Sequence, residues 1–126
     1  INWYGITDVA DLLDGPNIRS YAVEWMGSLA NRFEIAERVS PMTYVRSGLP
    51  PTLTIHGDAD PTVPYQQAVS FHQKLDDLGV SNVLHTVPGG GHGGFNREQT
   101  LAIFQTIQQF LSQHGLSTGM ATTQGQ

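Results

Sequence analysis

The sequence contains no cysteine, which excludes a disulfide framework, a thiolate metal site and a cysteine nucleophile. Positive charge is scarce as well, because six Lys and Arg residues face eleven Asp and Glu residues and leave a formal net charge of -5. A surface that binds nucleic acid needs the opposite balance, so we expect no nucleic-acid partner. Long apolar runs are also missing, so we expect no membrane span. A length of 126 residues then allows one ordinary domain.

Glycine is abundant, with 14 residues in the chain and five of them between Gly89 and Gly94. Two short runs of β-branched and apolar residues, 52–57 and 82–87, are typical of buried strands. Helical patterns follow each of them, one from Pro64 to Leu78 and one that extends to His114 after a capping box formed by Asn96 and Gln99. Strands that alternate with helices predict parallel pairing through right-handed crossovers and therefore an α/β layer fold.

The first half of the chain adds little more strand. Residues 1–5 indicate the end of a buried strand, and the apolar spacing predicts helices over 17–26 and 31–39. A parallel sheet needs more than two or three strands, with helices on both faces, to bury its backbone. We therefore expect a part of a larger sheet, with at least one unpaired edge on the strand from Thr52 to His56.

Chemistry-bearing side chains follow both predicted strands. Asp58 and Asp60 come directly after the first strand, and His92 lies in the glycine-rich loop after the second. Parallel strands bring their carboxyl ends to one edge of the sheet, where α/β proteins place their active groups. A carboxylate that accepts a hydrogen bond from one imidazole nitrogen fixes the tautomer and leaves the other nitrogen to deprotonate a hydroxyl nucleophile.

Four segments carry a resemblance to a known family, namely Tyr4–Asp8, Ser40–Pro41, Pro50–Pro64 and Pro88–Phe95. Taken in order, they resemble the C-terminal half of an α/β-hydrolase, similar to the esterases and acyl-peptidase-like hydrolases related to prolyl oligopeptidases and to hormone-sensitive-lipase-type carboxylesterases. The resemblance covers roughly residues 1–115 and implies the C-terminal part of an α/β-hydrolase sheet, with two to three parallel strands and flanking helices. Residues 116–126 are Thr, Gly and Gln rich, and we expect a disordered tail there.

The family carries its triad in the chain order serine, acid, histidine. The resemblance implies Asp60 as the acid and His92 as the base, with a small ester as substrate and no cofactor or metal, while amide hydrolysis by a related serine peptidase stays open. Asp58 matches a position that is usually not the acid.

The departure from the family concerns the nucleophile. None of the eight serines stands in a Gly-x-Ser-x-Gly elbow, and the glycine-rich oxyanion loop of the family is also missing from these 126 residues. We expect the serine in an upstream segment and no ester hydrolysis by this chain alone. A non-catalytic α/β module, which binds a partner or a second copy through the open edge of the strand from Leu53, is the alternative.

Structural alternatives exist for each candidate. Asp60 could cap the following helix, His92 could be a surface residue, and Asp58 is typical of a turn former. His56 could join both aspartates in a metal site, but no fourth ligand stands at a suitable spacing, so no metal is predicted.

The aromatic residues and the remaining histidines have structural explanations as well. Tyr65 and Phe95 flank the two loops and could line a substrate pocket. Packing in the core or under a lid is expected for four other aromatic residues, Trp3, Tyr4, Trp25 and Phe33. Three histidines have no carboxylate nearby in sequence and are expected to be structural, namely His72, His85 and His114.

Overall fold

A computed structural model describes residues 1–116, which contain one three-stranded parallel sheet and four α-helices. The strands are β1 (Asn2–Trp3), β2 (Thr52–Gly57) and β3 (Asn82–Val87), in the order β1-β2-β3. The helices are α1 (Ser20–Met26), α2 (Arg32–Val39), α3 (Tyr65–Asp77) and α4 (Arg97–Gln113), with short 3-10 turns at Ala10–Leu12 and Pro41–Tyr44. The chain divides into two compact units, of which the first is residues 1–95 and the second begins at Asn96. The predicted α/β class with parallel strands is confirmed.

The strand β2 is buried on both of its faces. Leu53 and Ile55 point to one face, Thr54 and His56 to the other, and all four are fully buried. Burial on both sides is the usual state of a strand in a parallel sheet. The register pairs Gly57 at the end of β2 with Val87 at the end of β3, so the loops that follow both strands leave from the same edge.

The predicted element limits agree with the structure where β-branched runs or caps mark them. Both long strands have the predicted limits, and Asn96 caps α4 through the predicted capping box with Gln99. The helix predicted over 17–26 begins only at Ser20, because Arg19 has an extended backbone (φ -130°, ψ 128°). Neither 3-10 turn was expected.

One expectation about the sheet is wrong. The strand from Thr52 to His56 is the central one, because β1 pairs with it through Asn2–Thr54 and Trp3–Ile55 while β3 pairs with its other side. The outer edges of the sheet in residues 1–116 therefore belong to β1 and β3, and β2 has no edge that is open along its whole length, although Leu53 lies outside the two residue pairs that join β2 to β1.

A buried glutamine fastens the segment after β1 to α3. The Gln67 Oε1 atom accepts hydrogen bonds from the backbone nitrogens of Thr7 at 3.0 Å and Asp8 at 2.8 Å. Its Nε2 donates to the Asp8 carbonyl at 2.9 Å and to the Asp11 carboxylate at 2.7 Å. Because every polar atom of this buried amide has a partner, it stabilises the segment rather than destabilising the core.

The second unit consists of α4 and the residues that follow it. Most of the predicted disordered tail, 117–126, lies outside the described residues. None of the helices in the described part of the chain is both long and apolar enough to cross a membrane.

Candidate active site

Asp60 lies in the turn that follows β2, with its side chain fully buried. One carboxylate oxygen, Oδ1, accepts hydrogen bonds from the backbone nitrogens of Thr62 at 2.8 Å and Val63 at 2.9 Å. This is the turn-forming role that aspartate has in many loops. It also leaves the second oxygen, Oδ2, in a fixed position and free to bond elsewhere.

His92 meets that second oxygen. The His92 Nδ1 atom lies 2.9 Å from Asp60 Oδ2 and is the donor, because an ionised carboxylate only accepts. Burial raises the pKa of Asp60, but the hydrogen bonds from His92, Val63 and Thr62 outweigh burial and leave the pKa below its ordinary value of 3.8. Asp60 is therefore ionised at neutral pH, and the Nε2 lone pair of His92 is free to take a proton. The side chain of His92 is 35% exposed, so a small molecule in solution can reach it.

Close contact between the turn after β2 and the glycine-rich loop after β3 sets the distance between Asp60 and His92. A β-carbon at Gly57 would lie 2.1 Å from the Gly90 carbonyl oxygen, so only glycine fits there. The same oxygen accepts a hydrogen bond from the Ala59 nitrogen at 3.0 Å. The Asp58 carboxylate accepts one from the Gly89 nitrogen at 2.7 Å, which is the turn role predicted for it.

Tyr4 packs against the imidazole from the β1 side. The ring centroids of Tyr4 and His92 are 4.6 Å apart, and those of Tyr4 and Phe95 are 6.0 Å apart. Tyr4 has a positive φ of 39°, which is uncommon for a residue other than glycine and occurs mainly where the surroundings impose it. The strained backbone thus places an aromatic wall beside His92.

A cavity of about 380 Å³ opens next to His92. Its walls are mostly apolar and aromatic, and they consist of Trp3, Tyr4, Gly5, Ile6, Tyr21, Trp25, Thr62, Val63 and His92. Such a cavity with one polar group at its wall is the usual form of a small-molecule site. No serine is among these lining residues of the described chain.

The cavity corrects the predictions made for the aromatic residues. Trp3, Trp25 and Phe33 are exposed rather than packed in a core, and both tryptophans line the cavity. Conversely, Tyr65 and Phe95 are not among its lining residues. Sequence reasoning could not foresee this, because Trp25 reaches the cavity through the fold of α1 rather than through a local pattern.

Tyr21 closes the cavity on the α1 side. Its hydroxyl donates to the Thr62 carbonyl at 2.9 Å, and its ring lies 4.9 Å from that of Trp25. Burial raises the pKa of Tyr21, with Arg19 lowering it and Asp60 raising it further. The hydroxyl therefore stays protonated and keeps this bond, which ties α1 to the Asp60 loop.

The structure adds one residue, His56, that the sequence had suggested only as a ligand of a metal site, a site that was then not predicted. His56 Nε2 lies 3.2 Å from Asp60 Oδ2, and the imidazole is fully buried. Residues 1–116 contain no group of three or more His, Asp or Glu side chains placed to hold a metal. A histidine four residues before the acid, at the end of a buried strand, was the available signal for this contact.

Of the other histidines, His72 has the structural environment expected for it. It is buried, and its Nδ1 lies 2.7 Å from Asn82 Oδ1. Burial lowers the pKa of His72, and the Asn82 hydrogen bond and Asp76 oppose that shift only in part. Burial also lowers the pKa of His85.

Comparison with known proteins connects this geometry to esterases. The model of the BD-FAE family matches residues 1–75. Esterase LipQ of Mycobacterium tuberculosis is 26% identical over 118 residues, which are 86% of this chain and 27% of LipQ.

Solved esterase structures share the fold. A butyrate-bound thermophilic esterase from the Planctomycetes species Thermogutta terrifontis superposes with a TM-score of 0.69 and 26% identity, over 94% of this chain and 44% of that chain. A truncated carbohydrate esterase from gut microbiota gives a TM-score of 0.68 and 30% identity, over 87% of this chain and 41% of the other. The chain thus has the fold of α/β-hydrolase esterases and spans less than half the length of these relatives.

Proposed function

Because this chain belongs to the BD-FAE family, we propose that it supplies the acid and the base of a Ser-Asp-His triad in a carboxylic-ester hydrolase. Asp60 is the acid and His92 is the base. The hydrogen bond of 2.9 Å between them, at the wall of an apolar cavity, is the observation that carries the proposal. Similarity to esterases, both in sequence and in structure, supports an ester as the substrate.

The nucleophilic serine comes from polypeptide outside these 126 residues. No serine here stands in a Gly-x-Ser-x-Gly elbow, and none lines the cavity in the described part of the chain. The relatives are two to four times longer than their matched regions, so they have room for such an element. Without that serine, the chain alone has the base but no nucleophile.

In the reaction, His92 Nε2 takes the proton of the serine hydroxyl as its oxygen attacks the acyl carbon. The Asp60 carboxylate stabilises the imidazolium through Nδ1–H. His92 then gives the proton to the departing alcohol oxygen, and an acyl-enzyme remains. A water molecule, deprotonated by the same nitrogen, attacks the acyl-enzyme and releases the carboxylic acid and the serine.

The cavity holds the apolar part of the ester. Aromatic side chains such as Trp3 and Trp25 offer contact area to an acyl or alcohol group and carry no charge that would favour a charged substrate. The butyrate bound in the Thermogutta terrifontis esterase supports a short acyl chain. An amide substrate would use the same two residues and is a second outcome of the substrate test.

Ester hydrolysis by two preparations tests the proposal: this chain alone, and the complete product of its open reading frame. We expect saturable hydrolysis of p-nitrophenyl butyrate by the complete product, loss of that activity in His92→Ala, and activity close to the unmodified level in the exposed control His114→Ala. A fluorophosphonate probe should label a serine outside the 126 residues. Hydrolysis by the chain alone that His92→Ala abolishes, or full activity of His92→Ala in the complete product, would contradict the proposal.

A non-catalytic module is the second candidate, and the sheet supports it. The two-residue strand β1 covers only Thr54 and Ile55 of β2, and the outer edges of β1 and β3 have no strand partner in residues 1–116. Unpaired edges favour association with a second chain or a second copy. Sedimentation of both preparations separates the candidates: association that disappears in the complete product supports the enzyme, and association that persists without esterase activity supports the module.

A further inference from the structure

The carboxylate of Asp60 contacts two histidines through the same oxygen. Besides His92 Nδ1 at 2.9 Å, the Nε2 atom of His56 lies 3.2 Å from Oδ2. The same Nε2 lies 3.0 Å from the Val63 carbonyl oxygen. The reaction described above uses His92 alone and leaves the buried His56 without a role.

The surroundings of His56 determine where its hydrogen lies. Both atoms that face Nε2, the Asp60 carboxylate oxygen and the Val63 carbonyl oxygen, are acceptors, so Nε2 carries the hydrogen. The other ring nitrogen, Nδ1, is buried and has no partner among the described residues. A hydrogen on Nδ1 would leave that donor unpaired and turn the Nε2 lone pair toward two oxygens, which is unfavourable on both counts.

We infer that His56 is a positioning residue, whose Nε2–H bonds the Val63 carbonyl and lies close enough to Oδ2 to steady the Asp60 oxygen that bonds His92. The inference rests on the proposed role of Asp60 as the triad acid. Backbone nitrogens hold Oδ1, and His56 holds Oδ2, so the carboxylate keeps its orientation even when His92 moves. His56 is not among the cavity-lining residues, so it acts through Asp60 rather than on substrate.

Carbon-13 NMR of the Asp60 carboxyl group tests the inference in this chain without any nucleophile. A donor to the ionised form keeps a carboxyl pKa low, so we expect the Asp60 titration to move to higher pH in His56→Leu. His56→Gln places an amide N–H near the former Nε2 position and should restore most of the shift. His72→Leu is the matched control, because it removes another buried histidine, whose Nδ1 bonds Asn82 rather than Asp60.

Nitrogen-15 NMR of the unmodified chain gives a second readout that needs no variant. We expect His56 to carry its hydrogen on Nε2 and His92 on Nδ1. An Asp60 titration that is unchanged in a folded His56→Leu chain, or a His56 hydrogen on Nδ1, would overturn the inference.

Kinetics of the complete product separate this inference from the proposed function. His56→Leu should lower kcat by about tenfold with KM unchanged, the scale of one lost polar contact to a charged group, and His56→Gln should recover most of it. If Asp60→Asn abolishes hydrolysis while His56→Leu changes neither kcat nor the Asp60 titration, the function stands and the positioning role is refuted. If Asp60→Asn leaves hydrolysis intact, the proposed function is refuted, whatever the NMR titration shows.

Discussion

Replacing Gly57 by alanine is expected to separate the acid from the base without touching either residue. Gly57 ends β2, and its α-carbon faces the backbone of the loop that carries His92. A β-carbon at this position would lie 2.1 Å from the Gly90 carbonyl oxygen and 2.6 Å from that of Gly91. Both neighbours are backbone atoms, so no side-chain rotation can relieve the overlap.

The size of the displacement follows from these distances. Ordinary contact begins at 3.4 Å, so the Gly90 oxygen has to retreat from 2.1 Å by about 1.3 Å. The hydrogen bond from the Ala59 nitrogen to that oxygen, now 3.0 Å, would break. Overpacking and one lost hydrogen bond together cost about 2–4 kcal/mol in the free energy of unfolding. A shift of this size two residues before His92 is also expected to lower kcat of the complete product by about 100-fold.

Two assays check this expectation, with Gly91→Ala as the matched control. Gly91 lies in the same loop, its φ is not positive, and the nearest atom to a new β-carbon is 4.0 Å away. Denaturant unfolding should show the loss for Gly57→Ala and almost none for Gly91→Ala, and ester hydrolysis should follow the same order. Equal stability and activity of the two variants would refute the reasoning that loop contact sets the distance between acid and base.

Three further changes test other parts of the structure. Gln67→Leu leaves two backbone N–H groups of the segment after β1 without an acceptor and should lower the free energy of unfolding by about 3 kcal/mol in a denaturant titration; a loss below about 1 kcal/mol would contradict the role given to this amide. Burial lowers the pKa of His72, so the unfolded chain takes up a proton as pH falls through 6.5 and the folded chain does not. The contribution of His72 to the free energy of unfolding is therefore fully present above pH 6.5 and is lost as the pH falls below it. His72→Asn should reduce the difference in free energy of unfolding between about pH 7.5 and about pH 5.5, and an unchanged difference would exclude His72 as its source. Trp25→Ala removes an exposed wall of the cavity and should raise KM for p-nitrophenyl butyrate by about tenfold with kcat within about twofold, whereas an unchanged KM would place the substrate elsewhere.

The parts of this fold that local patterns determine could be predicted from the sequence. The strands 52–57 and 82–87 are β-branched runs bounded by glycine and proline, and their limits agree with the structure. Because parallel strands end at one edge, the sequence also predicted that Asp60 and His92 would meet, and their side chains are in hydrogen-bond contact.

Long-range packing decides the remaining features, and no local pattern signals them. The central place of β2 depends on two residues of β1, too few to show a strand period. A tyrosine in the sequence does not indicate a positive φ such as that of Tyr4. Trp25 reaches the cavity only through tertiary structure. His56 was visible as a polar residue in a buried strand, but its contact with Asp60 required coordinates.

The steady-state kinetics of Asp60→Asn in the complete product test the central claim most directly. Asparagine keeps the size of the side chain but can no longer stabilise the charged imidazole or fix its tautomer, so we expect kcat to fall by about 10⁴ with the fold intact. A loss of less than about tenfold, in a product that His92→Ala inactivates, would show that Asp60 is not the acid and would move that role to another carboxylate, with Asp58 first in line.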